Sequence, residues 1–345
     1  MAQLDQLLMK MVESRASDLH LSAGEPVRMR IDGELHAVAD RPLSGEALFQ
    51  IMREVCGEDQ WQKYVETNDL DFAYSVQGVG RFRCNFLKQV RGMGAVFRVI
   101  PEKILSIDDL GLPEAAKRFP LFRSGLVLVT GPTGSGKSTT LAAIIDAINR
   151  TMSRHIITIE DPIEFVHTDR KSFIVQREVG LHAPSFSAAL KDALSEDPDV
   201  ILVGEMRDLE AVSLAVTAAE MGVLVLATVH ANSAAKTVDR IVEVFPAAQK
   251  EQIRAMLAES LRGILAQQLL RRKEGKGRIV AAEIMFSSPG LANIIRDGNA
   301  SKITGYIDAN RAMGMQTLDV ALKELVEKDL VSAEEASLKC NNKSV

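Results

Sequence analysis

The sequence lacks paired cysteines, a signal peptide and a long uninterrupted apolar segment, the features typical of secreted and membrane-inserted proteins. Its cysteines are isolated, without any C-x-x-C pair, which argues against a disulfide framework and a thiolate zinc site: Cys56, Cys84 and Cys340. Met1 to Lys10 lacks the basic-then-apolar layout of a signal peptide, and the most apolar long window, Ser213 to Ala231, is interrupted by Glu220 and His230. These absences predict a cytoplasmic protein that does not insert into a membrane but could dock on a membrane complex.

Basic charge and aromatic residues are also scarce. The formal net charge is −5, so no overall cationic field attracts nucleic acid or anionic lipid. Only 5% of the residues are aromatic, which is little material for a channel that stacks bases. A nucleic-acid translocase therefore stays an alternative that the composition argues against, and we expect no nucleic-acid partner.

The most informative feature that is present is the segment Gly131 to Ser138, which reads GPTGSGKS and matches the P-loop pattern G-x-x-x-x-G-K-[ST]. An apolar, strand-like run precedes it at Leu126 to Thr130, and helix-forming residues follow it. A glycine-rich turn at a helix N-terminus directs backbone N–H groups at phosphates. This predicts a nucleotide-phosphate binder whose nucleotide-binding residues are Gly131, Pro132, Thr133, Gly134, Ser135, Gly136, Lys137, Ser138 and Thr139; together with the strand-end residues described below, it predicts a Mg²⁺-dependent ATPase that binds ATP. In this pattern Lys137 reaches the β and γ phosphates and the Ser138 hydroxyl binds Mg²⁺.

The first hundred residues mix helical and strand patterns. Leu4 to Val12 has the spacing of an amphipathic helix, Asp32-Gly33 is a hairpin signal between two alternating segments, and Ala47 to Tyr64 again indicates helix. Further strands are predicted around Asp71 to Val76, Arg81 to Leu87 and Gly94 to Ile100. We predict an α+β domain over residues 1–100 and a linker with a short helix over 101–120.

The second half carries apolar runs without polar alternation, which are typical of parallel strands covered on both faces: Leu126 to Thr130, His155 to Glu160, Val200 to Gly204 and Val223 to Val229. Past Val244 the pattern predicts helix at Gln249 to Gln268, a basic loop at Arg271 to Arg278, a strand at Ile279 to Met285 and a helical tail. The fold class is therefore α/β, with an ATPase core over 121–288 and a helical C-terminal region over 289–345.

Ligands of open α/β sheets bind beyond the carboxyl ends of the strands, so the polar residues that close each run are candidates for chemistry. Glu160, Asp161 and Glu164 follow the second run; Glu164 is the predicted base that polarises the attacking water, and the first two organise metal and loop. Glu205 closes the third run and is expected to reach Mg²⁺ through water. Arg207 and Asp208 belong either to the site or to an ordinary surface ion pair, and for Asp208 we favour the ion pair. His230 closes the fourth run, as a γ-phosphate sensor or a link to a neighbouring subunit.

Three arginines lie in strand-like segments of the first domain: Arg81, Arg83 and Arg98. Strand alternation places Arg81 and Arg83 on one face. That face is either solvated or supplies arginine fingers to a nucleotide held by the second domain of the same or an adjacent subunit.

These motifs occur in the order GPTGSGKS, TIEDPIE, VILVGEMRD and TVHANSAAKTVDRIVEVFP. Together they resemble the type II/IV secretion and pilus ATPase superfamily, and among them the PilT-type pilus-retraction motors, along essentially the whole chain. The resemblance implies a PAS-like N-terminal domain, a RecA-like ATPase domain, a homohexamer and ATP bound between the two domains. It also makes Glu160, Asp161 and Glu164 an acidic box, Glu205 an atypical Walker B carboxylate, His230 a histidine box, and the three arginines phosphate contacts.

Within that superfamily the resemblance favours retraction. Assembly and secretion members usually carry a four-cysteine zinc module, for which this chain lacks the cysteines, whereas Gly290 to Asp297 reads GLANIIRD and is similar to the C-terminal AIRNLIRE motif of retraction motors. The implied function is retraction of a type IV pilus in twitching motility. The implied partner is an inner-membrane platform protein, with the motor peripheral to the inner membrane. An accessory retraction motor, an assembly or secretion ATPase, and a nucleotide-gated module that does not hydrolyse are the alternatives.

Overall fold

The computed structural model describes residues 2–31, 33–100, 103–206, 208–275 and 277–340. They form two compact units. The first comprises Met1–Lys103 together with Pro162–Phe165, and the second comprises Ile104–Asp161 together with Val166–Val345.

The first unit is an antiparallel sheet with helices. Its described elements are α1 (Gln3–Glu13), β1 (Asp18–Ser22), β2 (Pro26–Ile31), β3 (Glu34–Pro42), α2 (Gly45–Glu54), α3 (Glu58–Thr67), β4 (Asp69–Val76), β5 (Gly80–Gln89) and β6 (Gly92–Ile100). The strands are ordered β3-β2-β1-β6-β5-β4. Alternating residues on one face of the sheet join the helices in a single core; Phe82, Phe86 and Phe97 are fully buried there. This confirms the α+β domain.

Two local details of the first unit refine the sequence predictions. The hairpin exists, because Ile31 pairs with Glu34, although Asp32 lies outside the described residues. The single helical segment that we predicted from Ala47 to Tyr64 is wrong in its continuity, since it is divided into α2 and α3. Gly57 has extended backbone angles and is the N-cap of α3, which interrupts the helix.

The second unit contains a seven-stranded sheet ordered β13-β12-β7-β11-β10-β8-β9 in the part of the chain that is described. Its strands are β7 (Gly125–Thr130), β8 (His155–Glu160), β9 (Phe173–Glu178), β10 (Val200–Val203), β11 (Leu224–Val229), β12 (Leu261–Arg271) and β13 (Arg278–Phe286). Among the described strands of this sheet, only β13 runs antiparallel, against β12 at one edge. The helices are α4 (Lys137–Thr151), α5 (Phe186–Ala193), α6 (Leu209–Glu220), α7 (Ala234–Glu243), α8 (Lys250–Ser260), α9 (Pro289–Arg296), α10 (Ile303–Ala309), α11 (Leu318–Glu327) and α12 (Ala333–Ser337). This confirms the four predicted parallel strands and the RecA-like α/β class.

The sequence prediction was wrong at β12. We expected Gln249 to Gln268 to be helical, but only α8 is, and the chain then continues as an eleven-residue strand beside β7. Leu261, Ile264 and Leu265 are fully buried in that strand. Leu261, Ile264 and Leu265 have the spacing of a helix face, so the sequence alone indicates helix, and only pairing with β7 and β13 makes this segment a strand.

The segment that joins the two units contributes to the core of the second one. Ile107, Leu112, Ala116 and Phe119 are buried in the cluster that surrounds the parallel sheet, and Glu114–Leu121 forms a 3₁₀ helix. Pro101 and Glu102, at the start of the predicted linker, lie outside the described residues.

The C-terminal region is helical, as expected. The segment that reads GLANIIRD falls on α9, where Leu291 and Ile295 face the core and Arg296 lies near Glu259 of α8 at 3.9 Å. Helices α11 and α12 form a smaller apolar cluster with β12 and β13, through residues that include Leu270 and Leu322. Within the described ranges, no helix combines the length and apolar character needed to cross a membrane.

His167 of the second unit makes stability depend on pH. Burial lowers the pKa of His167 to about 4, whereas an unfolded histidine titrates near 6.5. Between these values the unfolded chain binds a proton that the folded chain does not, so stability is complete above about pH 6.5 and falls as the pH is lowered. We expect the loss between pH 7 and pH 5 to be about 2 kcal/mol smaller in His167→Gln, measured by urea unfolding. His36→Gln, at an exposed strand residue, is the matched control; equal pH dependence in wild type and His167→Gln would contradict the assignment.

Candidate functional site

The P-loop lies between β7 and α4, where the sequence predicts it. Gly131 has φ +151°, and a Cβ there would lie 2.3 Å from the Gln267 carbonyl oxygen and 2.5 Å from Ser135 Oγ. No side chain fits in that space, because backbone cannot move aside as a flexible side chain can. Gly136, with φ +88°, is the N-cap of α4. The glycines thus allow the positive φ angles and the close backbone packing that this tight loop requires.

The residues of this loop fit a phosphate ligand. Gly134 and Gly136 have positive φ, and Pro132, Thr133 and Gly134 are exposed, so the turn is open to solvent at the start of a fifteen-residue helix. Lys137 lies over the loop, with Nζ 3.1 Å from the carbonyl oxygens of Gly131 and Pro132. A backbone nest at a helix N-terminus with an ammonium group beside it is an arrangement that binds anions. Ser138 and Thr139 follow in the first turn of α4, half-buried.

The other parallel strands bring polar residues to the same edge of the sheet. Strand β8 ends at Glu160, whose Oε1 accepts hydrogen bonds from the Thr158 hydroxyl at 2.7 Å and from Gln176 Nε2 at 3.3 Å. Asp161 follows and is exposed. Glu164, in contrast, belongs to Pro162–Phe165, the segment grouped with the first unit.

Glu205 and His230 are brought together by the neighbouring strands β10 and β11. His230 Nε2 lies 3.1 Å from Glu205 Oε1, and both side chains line a cavity of about 200 Å³ that also includes Arg240. Gly204 precedes the carboxylate because a Cβ there would crowd the Ile159 carbonyl oxygen at 3.2 Å. A glycine therefore follows β10, and the carboxylate of Glu205 comes one residue after it.

Threonine hydroxyls connect these strand ends. Thr130, immediately before the P-loop, donates to the Ala231 carbonyl at 2.6 Å and accepts from the Ala231 N–H at 3.1 Å. Thr228 donates to the Gly204 carbonyl. The P-loop strand is thereby hydrogen-bonded to the His230 segment, and that segment to the Glu205 segment.

The segment after Glu205 is only partly described. Asp208 is the N-cap of α6, where its Oδ1 accepts from the Ala211 N–H at 2.8 Å. Arg207 lies outside the described residues, so the choice between a site role and a surface ion pair for these two residues stays untested.

Arg81 and Arg83 share the face of the sheet away from its core, as alternation predicts. Arg98 lies on the same face, because it pairs directly with Arg83 across β5 and β6. Arg98 Nε is 2.7 Å from Asp18 Oδ1, and Arg83 Nη2 is 3.5 Å from Asp71 Oδ2. Arg81 is half-buried on the same strand.

The electrostatics of Asp18 show how these cations are balanced. Burial acts to raise the pKa of Asp18, but the hydrogen bonds from Ser17 and Arg98 and the Arg98 charge outweigh it, so the pKa lies below its usual value. Arg83 and Arg98 each have a carboxylate partner within their own unit.

Two buried polar residues near the site were missed by the sequence analysis. Gln267 of β12 contacts the P-loop. Glu283 of β13 accepts hydrogen bonds from the N–H groups of Ala234 at 2.7 Å and Leu318 at 3.3 Å, and so caps α7 and α11. Burial raises the pKa of Glu283. For Glu283 the available signal was a single acid among the apolar residues of the predicted strand Ile279 to Met285, whereas Gln267 could be found only if β12 was recognised as a strand.

No group of three or more His, Cys, Asp or Glu side chains able to hold a metal ion occurs among the described residues. Mg²⁺ in phosphoryl-transfer sites commonly takes only one or two protein ligands, with phosphate oxygens and waters as the others. The Ser138 hydroxyl and nearby single carboxylates fit that kind of coordination.

Comparison with known proteins identifies the family. Residues 1–336 match the model of the family described as type II/IV secretion system protein. A type IV pilus retraction ATPase, PilT of Pseudomonas aeruginosa, is 49% identical over 96% of both chains. A twitching motility protein of Neisseria gonorrhoeae is 44% identical over 96% of this chain and 88% of its own.

A solved structure gives the same result in three dimensions. The crystal structure of the pilus retraction motor PilT with bound ADP superposes with a TM-score of 0.91 and 43% identity, covering 99% of this chain and 98% of the other. With its P-loop, its parallel sheet and this similarity along its whole length, the chain belongs to the type II/IV secretion system protein family, as a PilT-type ATPase.

Proposed function

We propose that this protein is a Mg²⁺-dependent ATPase motor that powers retraction of a type IV pilus. The observation that carries the proposal is the carboxyl edge of the parallel sheet, where a P-loop built for phosphates lies on β7 and the Glu205–His230 pair lies at the ends of β10 and β11. The retraction half is supported by relatives named as a retraction ATPase and a twitching motility protein.

Each candidate residue has a proposed role in hydrolysis. The P-loop N–H groups and Lys137 bind the phosphates, and Ser138 with Glu160, Asp161 and Glu205 holds Mg²⁺, partly through water. When bound, the metal neutralises charge that develops on the phosphates. Glu164 polarises the attacking water.

His230 and the arginines complete the proposed site. His230, hydrogen-bonded to Glu205, senses the γ phosphate or links to the neighbouring subunit. Arg81, Arg83 and Arg98 supply positive charge to the phosphates from the same or an adjacent subunit. In that role Arg83 must leave its partner Asp71, and Arg98 its partner Asp18, to bind a phosphate instead. Both arginines are accessible to a ligand, since 41% of the Arg83 side-chain surface and 68% of the Arg98 side-chain surface are exposed.

The proposed assembly is a homohexamer at the cytoplasmic face of the inner membrane, which passes its domain motion to the platform protein of the pilus machine. The P-loop and the Glu205–His230 pair lie in the second unit, and the three arginines lie in the first. Hydrolysis that opens and closes two units against each other is a suitable way to produce movement.

Deletion of the gene in its source organism tests the proposal. A retraction motor predicts cells that carry more pili than wild type and do not twitch, because pili are assembled but not depolymerised. Complementation with the wild-type gene is expected to restore both properties. Cells without pili would instead show an assembly ATPase, and normal motility with normal pilus number would exclude a main retraction role.

A further inference from the structure

A single glutamine on β12 contacts the P-loop at several points. Gln267 is 2% exposed. Its Nε2 donates to the Ser135 carbonyl at 2.6 Å, and its Oε1 accepts from the Thr140 hydroxyl at 2.8 Å. Its own carbonyl oxygen fills the space next to Gly131. One residue therefore contacts the start of the loop, its last turn and the first turn of α4.

The orientation of this amide follows from its partners. The Ser135 carbonyl can only accept a hydrogen bond, so the NH₂ group of Gln267 must face it. The Thr140 hydroxyl then donates to the remaining amide oxygen. Both ends of a buried polar group are satisfied, and removing it would leave a buried carbonyl and a buried hydroxyl without these partners, at about 1–3 kcal/mol for each.

The Ser135 carbonyl matters because of the peptide bond that contains it. That bond joins Ser135 to Gly136, and in a planar trans peptide the C=O and the following N–H point in opposite directions. A donor that holds the Ser135 carbonyl from the β12 side therefore fixes the Gly136 N–H away from β12. A hydrogen bond to a carbonyl also polarises the amide and strengthens its N–H as a donor.

We infer that Gln267 is a positioning residue that fixes the Ser135–Gly136 peptide of the P-loop so that its N–H is directed at nucleotide phosphate. The inference rests on the proposed function, because it assigns Gln267 to the site where that function places ATP. It requires Gln267 to act through the loop, without touching the nucleotide itself.

The neighbouring residue on the same strand offers a matched control. Gln268 is 8% exposed and lies on the opposite side of β12, where its Nε2 is 3.5 Å from the Lys339 carbonyl of the C-terminal tail. Substitution by methionine removes a buried glutamine amide from β12 at either position, but only Gln267→Met removes hydrogen bonds to the P-loop and α4.

The experiment measures ADP affinity by titration with a fluorescent ADP analogue, and KM and kcat for ATP, in wild type, Gln267→Met and Gln268→Met. We expect Gln267→Met to raise the Kd for ADP and the KM for ATP about tenfold, the loss of roughly one well-placed hydrogen bond. Gln268→Met should leave both within about twofold even if it lowers the melting temperature equally. A Kd for ADP in folded Gln267→Met within twofold of wild type would overturn the inference.

A second variant covers the case in which Gln267→Met does not fold. Gln267→Glu keeps both contacts while its carboxyl is protonated and loses the donor to Ser135 when it ionises, and burial raises the pKa of such a carboxyl. We expect its ADP affinity to fall more steeply with rising pH than that of wild type, because the carboxyl ionises as the pH rises. An identical pH profile would contradict positioning through Ser135. ADP binding is measured without turnover, so absence of ATP hydrolysis in wild type would refute the proposed function separately.

Discussion

Replacement of Lys137 by alanine is expected to abolish ATP hydrolysis and to weaken ATP binding about 100-fold or more. The ammonium group lies 3.1 Å from two P-loop carbonyls, at the position from which it can reach phosphates. Hydrogen bonds to charged groups contribute about 1.5–3 kcal/mol each. If the Lys137 ammonium makes two such bonds to the phosphates, their loss weakens ATP binding by more than about a hundredfold. Lys137→Met, which retains part of the apolar stem, should lose activity equally if the charge is what matters. Phosphate release and ATP titration measure both effects.

The control for this prediction is Lys191→Ala, which removes an exposed lysine from α5. It should hydrolyse ATP like wild type, and all three variants should melt within a few degrees of it, because none removes buried apolar surface. Turnover in Lys137→Ala at half the wild-type rate or more would contradict nucleotide binding at this loop.

Glu164→Gln is expected to reduce kcat by about 10²–10⁴ while ATP still binds, because the substitution keeps the shape of the side chain and removes the base. Rates and ATP affinity measured on the same preparation separate the two effects. Glu210→Gln, at an exposed residue in the first turn of α6, is the control for loss of a carboxylate and should leave kcat unchanged. Hydrolysis in Glu164→Gln at the wild-type rate would remove Glu164 from the mechanism.

A Mg²⁺ titration distinguishes the proposed base from the proposed metal ligands. Asp161→Asn should shift the Mg²⁺ concentration needed for half-maximal activity upwards and recover much of its rate at high Mg²⁺. Glu164→Gln should not recover, since more metal cannot replace a base. Rescue of Glu164→Gln by Mg²⁺ would assign that carboxylate to the metal instead.

Strands β7, β8, β10 and β11 and the P-loop could be predicted because their signals are local. Each of the four strands that we predicted is a short apolar run, and the rule that ligands bind beyond strand ends then selected Glu205 and His230 before any geometry was known. Their 3.1 Å contact could not be predicted, because it depends on β10 and β11 being neighbours.

The failures concern residues whose structure is set by distant partners. Strand β12 has the apolar spacing of a helix and becomes a strand only by pairing with β7 and β13. Strand β9 was missed because its edge position leaves Phe173 59% exposed, without a buried apolar run. Gln267 was lost together with β12, since a glutamine in a supposed helix gives no reason to expect contact with a P-loop.

The wide separation of β7 and β12 along the chain has a consequence for biosynthesis. Ser135 and Gln267 are 132 residues apart, so the P-loop leaves the ribosome long before the residue that holds it. At bacterial-type elongation rates of about 5–20 residues per second the delay is on the order of ten seconds. A nascent chain therefore exposes a glycine-rich loop and an unpaired edge of β7 during that time, and ATP can meet a finished P-loop only after Gln267 has been synthesised and β12 has paired with β7.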